Sequence, residues 1–408
     1  MTATPTCRSC AAAHLETVLD LGNFPLVNSL PTAKDLAQPD ARYPLVLAFC
    51  PDCSLLQITY TVDPEALFGE YLYFSSYSDT MLAHARSLVE RIAAQRSLGK
   101  ESLAVEIASN DGYLLCNYQR LGIPVLGIEP ARNIAKVAVA KGIPTIAEFF
   151  GQALAQRLVA EGRRADVIHA HNVMAHVADL NGFVTGIQTL LAPGGVAVVE
   201  APYARDMIER LEFDTIYHEH LCYFSVSAIV ALLERNDLVL ADVERIPIHG
   251  GSIRLWIACA GSDVRPSVAA LLAEERALGM TGIDYYRDFA AHVSTLRDNL
   301  VACLRRLKAE GNHLAAYGAA AKGAVLLNYA KIDGDLLDFV ADRSPHKQGR
   351  FLPGVRIPIR APSALMEYHP DFVLLLAWNF EEEIRAQQAE YLRQGGRFIV
   401  PVPIVRTD

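Results

Sequence analysis

The chain has no long hydrophobic run, no excess of positive charge and no G-x-G-x-x-G loop, and each absence removes a class of function. Its apolar stretches, such as Val196–Val199 and Phe372–Ala377, are strand-length. A membrane-crossing helix needs roughly 20 apolar residues, so no membrane partner is expected. Lysine and arginine number 37 against 46 aspartates and glutamates, a net charge of −9. A nucleic-acid binder needs a basic surface to neutralise phosphate, so no nucleic-acid partner is expected either. The opening Met1-Thr2-Ala3-Thr4-Pro5 leads into cysteines and not into an apolar signal core, which points to a cytoplasmic location. There is no internal repeat and no low-complexity tract. What remains is a well-packed chain of 408 residues, 51% hydrophobic and 20% charged. That length predicts two or three domains.

Cysteine is present, and four of the eight residues are patterned. Cys7-Arg8-Ser9-Cys10 and Cys50-Pro51-Asp52-Cys53 are two C-x-x-C knuckles with residues 11–49 between them. Two such turns can surround one zinc ion with four thiolates. A complete thiolate shell leaves no open coordination position, so the site is expected to be structural. The first 65 or so residues are broken by Pro25, Pro31, Pro39, Pro44 and Pro51 and need such a staple.

From about 100 to 200, short apolar strands alternate with helical patterns. The strands are Leu103–Ala108, Val125–Glu129, Val167–Ala170 and Val196–Glu200, with helices around 113–121, 131–141, 151–161 and 180–191. This rhythm predicts a doubly wound parallel α/β sheet. Leu238–Ile248 and Ser252–Ala260 read as an antiparallel hairpin at its edge. A long helix, about 284–310, leads to a second α/β unit containing Leu314–Tyr317, Phe339–Ala341, Phe372–Ala377 and Phe398–Val402.

Val105-Glu106-Ile107-Ala108-Ser109-Asn110-Asp111-Gly112 joins the first strand of the central unit to its first helix. One glycine does not build a pyrophosphate cradle. Glu129, at the end of the next strand, can accept ribose hydroxyls. Acidic Glu106 and Asp111 disfavour a phosphorylated ligand and suit a sulfonium and an amino group, so S-adenosylmethionine fits better than NAD. The third strand ends in His169-Ala170-His171-Asn172-Val173-Met174-Ala175-His176, and at least one of these histidines should line the crevice. Downstream, Tyr217-His218-Glu219-His220 places two imidazoles, a carboxylate and a phenol in four residues. In extended backbone His218 and His220 would face one way and Glu219 the other, unless the loop bends. A histidine–carboxylate pair suits proton abstraction near neutral pH. In the second α/β unit, Lys322, Arg343, His346, Lys347 and Arg350 concentrate positive charge, as a diphosphate would require.

Taken together, the four cysteines, Tyr71-Leu72-Tyr73-Phe74-Ser75-Ser76, Val105–Leu115, Asn172–His176, Tyr217–His220, His249-Gly250-Gly251-Ser252 and Lys347-Gln348-Gly349-Arg350 before Pro353-Gly354 resemble the sugar C-methyltransferases of deoxysugar biosynthesis. The likeness spans nearly the whole chain, and departs from the family loop at Ala108, where glycine is usual. It implies an α/β protein in three parts. These are an N-terminal zinc-binding module (1–70), a central class I, Rossmann-like S-adenosylmethionine methyltransferase domain (71–265) and a C-terminal Rossmann-like domain (266–408) that helps to hold a nucleotide-sugar.

The resemblance also implies roles. His220 would be the base and Glu219 its orienting partner or a second acid/base, with His176 and Tyr71 or Tyr73 holding the sugar and its enolate. Glu106, Ala108, Asn110, Asp111, Gly112, Tyr113, Glu129 and Asn172 would line the cofactor site. Tyr217, His218, His249, Lys322, Arg343, Lys347 and Arg350 would hold substrate. The implied reaction removes the proton beside the ketone of a dTDP- or GDP-linked 4-keto-6-deoxysugar, at C-3, and methylates the enolate. The chain would act as a monomer or weak homodimer. The competing readings are an O- or N-methyltransferase, and an NAD-dependent nucleotide-sugar oxidoreductase or epimerase working through the C-terminal half.

Overall fold

The computed structural model describes residues 5–68, 75–77, 79–248 and 250–408. The first sheet is antiparallel and comprises β1 (Glu16–Pro25), β2 (Arg42–Phe49) and β3 (Leu56–Ile58). Leu45, Leu47, Phe49, Leu55, Leu56 and Ile58 are all buried at 1% exposure or less, so this small sheet has a real apolar interior as well as its cysteines. Its fourth strand is Cys222–Tyr223, which comes from far along the chain and pairs Leu56 with Tyr223 and Gln57 with Cys222.

The central sheet has β4 (Ala104–Ile107), β5 (Val125–Ile128), β6 (Thr145–Ile146), β7 (Ala165–His171) and β8 (Leu191–Pro202) in parallel. With Cys222–Tyr223 counted as β9, the hairpin β10 (Leu238–Ile246) and β11 (Ser252–Cys259) closes the sheet in the order β10-β11-β8-β7-β4-β5-β6. β4 and β5 are buried on both faces, which is why they read as unbroken apolar runs and not as alternating ones. Helix Asp79–Gln95 lays Met81, Ala85, Leu88, Val89 and Ile92 inward, a helical stripe one face wide. The winding order of the strands reverses between β4 and β7, so the crevice at their carboxyl ends is where a ligand of such a sheet sits.

The third sheet orders β14 (Ile359–Arg360), β13 (Val340–Ala341), β12 (Leu314–Tyr317), β15 (Phe372–Leu375), β16 (Arg397–Val400) and β17 (Arg406–Thr407), all parallel except the last pair. This is a second Rossmann-like unit with its own switch point between β12 and β15. Helix Pro266–Leu278, at the start of the expected third domain, packs on β10 and on helix Val226–Glu234 of the central unit. Its Glu275, fully buried, accepts the N–H groups of Val226 and Ser227 and the hydroxyl of Tyr203. The orphan donors at that helix start are thus satisfied by a side chain from the next element.

Candidate active site and zinc site

The thiols of Cys7, Cys10, Cys50 and Cys53 lie within 4.8 Å of one another, with Cys7–Cys53 and Cys10–Cys50 both at 3.5 Å. The two knuckles are built alike. Cys7 N–H donates to Ala12 and Ala11 N–H to Cys7; Cys50 N–H donates to Leu55 and Ser54 N–H to Cys50. Ala11 and Ser54, the residues that follow each knuckle, both adopt positive φ (63° and 61°). The Cys7 thiol is pushed down to about 5, chiefly because Cys53 donates to it. Four convergent sulfurs fit zinc in a closed shell, and they hold the module together.

At the switch point of the central sheet, the loop after β4 makes a close approach possible. Ala108, Asn110 and Gly112 have φ of 53°, 48° and 79°, and a Cβ at Gly112 would lie 2.7 Å from Ile143. Ala108 therefore adopts the left-handed conformation that favours glycine. Glu129 accepts the N–H groups of Asn110 and Ala131, both at 2.9 Å, so one carboxylate ties the two loops that flank the crevice. Ser75 N–H donates to Asn110 Oδ1 at 2.9 Å, Lys141 Nζ to Asp111 Oδ2 at 2.7 Å, and Ser76 also donates to Asp111. Glu106 is buried, and Glu106 Oε2, Ser109 Oγ and Asp111 Oδ1 have no hydrogen-bond partner among the described residues. Burial, then Glu129 and Asp111, push the Glu106 carboxyl well above its ordinary range. Acidic, under-satisfied groups around a glycine-poor turn fit the amino group and sulfonium of S-adenosylmethionine. Asn172 closes the far side with φ 52° as its N–H donates to the Glu200 carbonyl, and Tyr113 is buried under helix Asp79–Gln95.

The three histidines at the end of β7 separate. Tyr118 and His169 share a hydrogen bond of 2.8 Å, and His169 bonds to His171 at 3.1 Å. His171 lies against Glu200, which also holds His84 and Arg254. Burial pushes both imidazoles down, so this pair is neutral and part of the interior. His176, likewise lowered by burial to about 4, is the one that meets the downstream motif, its ring 4.8 Å from that of His220. A backbone bond from Leu221 N–H to the Ala175 carbonyl (2.7 Å) brings the two segments together.

The Tyr217–His220 segment bends into a turn, closed by His220 N–H on the Tyr217 carbonyl. Alternation therefore fails, and His218 and His220 part company. His218 donates to the Pro44 carbonyl at 3.2 Å and packs edge-on to Tyr43, both in the zinc module. Expected to hold substrate, it ties this segment to that module. Glu219 turns the same way and accepts from Asn28 Nδ2 at 2.6 Å. His220 Nδ1 donates to the Thr215 carbonyl at 2.8 Å, so in the neutral ring Nε2 is the basic nitrogen, and it accepts from Tyr217 Oη at 2.8 Å. The orienting group is Thr215, a backbone carbonyl, and not Glu219. Tyr71, Tyr73 and His249 lie outside the described residues.

The expected cationic group of the C-terminal unit is dispersed among protein partners. Arg350 donates to the Leu30 carbonyl, Lys347 to the Ala319 carbonyl, and Arg343 lies 3.5 Å from Glu383. Lys322 donates to Asn379 Oδ1 at 2.9 Å and sits 4.4 Å from the ring centroid of Trp378. Glu212 and Asp214, which face Lys322, carried no signal in the sequence beyond their position just before Tyr217.

A seven-stranded sheet of this order, an acidic cofactor crevice and an imidazole–phenol pair define a class I S-adenosylmethionine-dependent methyltransferase with a zinc module at its N-terminus. Family models match in three consecutive stretches: "Putative zinc binding domain" over residues 7–68, "Methyltransferase domain" over 77–243 and "C-methyltransferase C-terminal domain" over 247–403. C-methyltransferase NovU of Streptomyces niveus is 36% identical over 97% of this chain and 95% of its own length. The chain belongs to this C-methyltransferase family. An O-methyltransferase of ubiquinone biosynthesis from Methylobacterium sp. (strain 4-46) is 28% identical over 48% of this chain and 84% of its own. Among solved structures, magnesium protoporphyrin IX methyltransferase from Synechocystis with bound S-adenosylmethionine is 14% identical, with a TM-score of 0.34, covering 44% of this chain and 79% of its own. The methyl donor is S-adenosylmethionine and the four-cysteine site is a zinc site. C-methylation displaces the O-methyl, N-methyl and oxidoreductase readings. Among the described residues no helix is long and apolar enough to cross a membrane.

Proposed function

We propose that this C-methyltransferase acts on a nucleotide-diphospho-4-keto-6-deoxysugar, removing the proton at C-3 beside the ketone and methylating the resulting enolate. The observation that carries the reading is the Tyr217–His220 pair, with Nδ1 of the imidazole committed to the Thr215 carbonyl and Nε2 facing a phenol. A carbon acid beside a ketone needs a base, and its enolate oxygen needs donors. His220 Nε2 takes the proton, directly or through the Tyr217 hydroxyl, and His176 lies close enough to help shape the enolate site. S-adenosylmethionine supplies the electrophilic methyl group. Glu129, Asn110 and Asp111 orient it, and the described residues around Glu106 provide the acidic wall. Positioning of the carbon and the methyl group supplies much of the rate. The dTDP or GDP carrier is held between the central and C-terminal units, with Lys347 and Arg343 at the mouth of the second sheet and Tyr71, Tyr73 and His249 as further sugar contacts.

The test is solvent exchange. Incubated in deuterated water with dTDP- and GDP-linked 4-keto-6-deoxyhexoses in turn, the enzyme should label the carbon beside the ketone. In His220→Asn both labelling and methyl transfer should fall by about 10²–10⁴-fold, the usual loss for a general base, with ligand binding kept. Methyl transfer lost with labelling retained would move the base elsewhere. Full activity would remove His220 from the chemistry.

A further inference from the structure

The C-terminal sheet has a crevice of its own, at the carboxyl ends of β12 and β15, where doubly wound sheets take ligands. Lys322, in the first turn of helix Ala321–Ala330, and Trp378 with Asn379, just after β15, reach over it. What they hold is the chain's own short turn Phe213–Thr215. Trp378 Nε1 donates to Asp214 Oδ2 at 2.7 Å, and the ring of Phe213 lies 5.3 Å from that of Tyr329 on the same helix. Asp214 is fully buried, and its Oδ1 has no hydrogen-bond partner among the described residues. A buried carboxylate with one oxygen unmet is costly unless something requires it there.

The next residue supplies the requirement. Thr215 carries the carbonyl that accepts His220 Nδ1–H, and the turn is fixed by Thr215 N–H and Oγ1 donating to the Glu212 carbonyl. We propose that Asp214 is a positioning residue for methyl transfer: held by the Trp378 indole N–H of the C-terminal unit, it sets the Phe213–Thr215 turn so that the Thr215 carbonyl holds His220 in its working orientation. The inference rests on the reading of His220 as the proton acceptor. A carbonyl fixes a ring only as well as its own turn is fixed, and a misplacement of about 1 Å costs on the order of 10²-fold in rate. It also gives the C-terminal unit a part in catalysis that needs no ligand in its crevice.

The decisive variant is Trp378→Phe, which keeps an aromatic ring while removing the N–H donor and trimming the indole to a phenyl, studied beside Asp214→Asn, which keeps an acceptor oxygen. Measured on the full zinc-loaded chain with the responsive nucleotide-ketosugar, Trp378→Phe should lower kcat and solvent labelling together by about 10-fold. KM for S-adenosylmethionine and the melting temperature should stay near wild type. Asp214→Asn should be milder than Asp214→Leu. Wild-type kcat and labelling in Trp378→Phe would overturn the proposal, as would a fall in melting temperature with no fall in kcat. His220→Asn in the same assay separates the two ideas. If it abolishes labelling while Trp378→Phe does not, only the positioning role falls. If it retains labelling, the reading of His220 falls, and the positioning role with it.

Discussion

The two parallel sheets present the same kind of crevice at the same topological position and use it differently. In the central sheet the carboxyl ends of β4 and β5 are lined by Glu129, which holds two backbone N–H groups, and by Glu106 and Asp111, which keep spare acceptor capacity, an arrangement that suits a mobile cofactor. In the C-terminal sheet the carboxyl ends of β12 and β15 close over a turn of the neighbouring unit, with Trp378 donating to Asp214 and Lys322 donating to Asn379 beside it. A fold that ordinarily takes a ligand can take a piece of its own chain instead, and here the ligand-like position goes to Asp214, next to the Thr215 carbonyl that holds His220. The zinc module touches both sides of this arrangement. It shares a strand pair and the His218 and Glu219 contacts with the central unit, and its Leu30, Pro31 and Asp40 bind the 350–356 segment of the C-terminal unit.

The largest expected effect follows from that double contact. Cys50→Ser leaves three thiolates and an incomplete shell, so the module should loosen and activity should be lost altogether. Because no coordination position is open, a chelator should inactivate only as fast as the module unfolds. Rapid, reversible inhibition with the folded signal intact would show that the metal takes part in the chemistry.

Much of this was legible in the residues, and the remainder was hidden for definite reasons. The cysteine spacing identified the zinc site, since a knuckle is a local signal. The alternating strands and helices marked the longer strands of both sheets to within a few residues, while the two-residue edge strands β6, β14 and β17 carry too little periodicity to be read. The two-residue strand Cys222–Tyr223 was not readable, because its pairing joins segments more than 160 residues apart and carries no periodicity of its own. Whether Tyr217–His220 is extended or bent was open in the sequence, and the turn of four residues that breaks the alternation is set by the fold. The contacts of Lys322 with Asn379 and Trp378 were not readable, because those residues lie in a distant segment that only the fold brings to it.

Next in size is a difference between the crevices. Glu129→Ala should weaken S-adenosylmethionine binding by about 1–3 kcal/mol, through a lost charged acceptor and the loosened Asn110 and Ala131 loops. Trp378→Phe should leave that dissociation constant unchanged. Equal losses in calorimetry would erase the distinction between a cofactor crevice and a self-filled one.

An effect of similar size, on stability and not on binding, is expected at Gly250, which has φ 95° and whose added Cβ would lie 2.6 Å from Glu212. Gly250→Ala should cost about 1–3 kcal/mol of stability in denaturant titration. A neutral result would mean that Glu212 can move away freely.

The finest test concerns pH. Burial pushes Glu212 up to about 8 and Asp214 up to about 6, with Lys322 opposing both. A carboxyl whose folded value lies above its unfolded one stabilises fully below the ordinary carboxylate range of about 4, and that stability is lost as pH rises through the folded value. Stability should therefore fall between about pH 4 and 8, and Glu212→Gln should flatten the upper part of that fall. Lys322, pushed down by burial, acts in the opposite sense on the alkaline side. A slope unchanged in Glu212→Gln would show that Glu212 titrates normally.

The contrast between the two crevices is most directly tested by calorimetric titration of the intact zinc-loaded protein with S-adenosylmethionine and, separately, with NAD. The account predicts a single S-adenosylmethionine site per chain and no heat from NAD. Binding of NAD without binding of S-adenosylmethionine would contradict it, placing the working ligand in the sheet whose crevice the Asp214 turn fills.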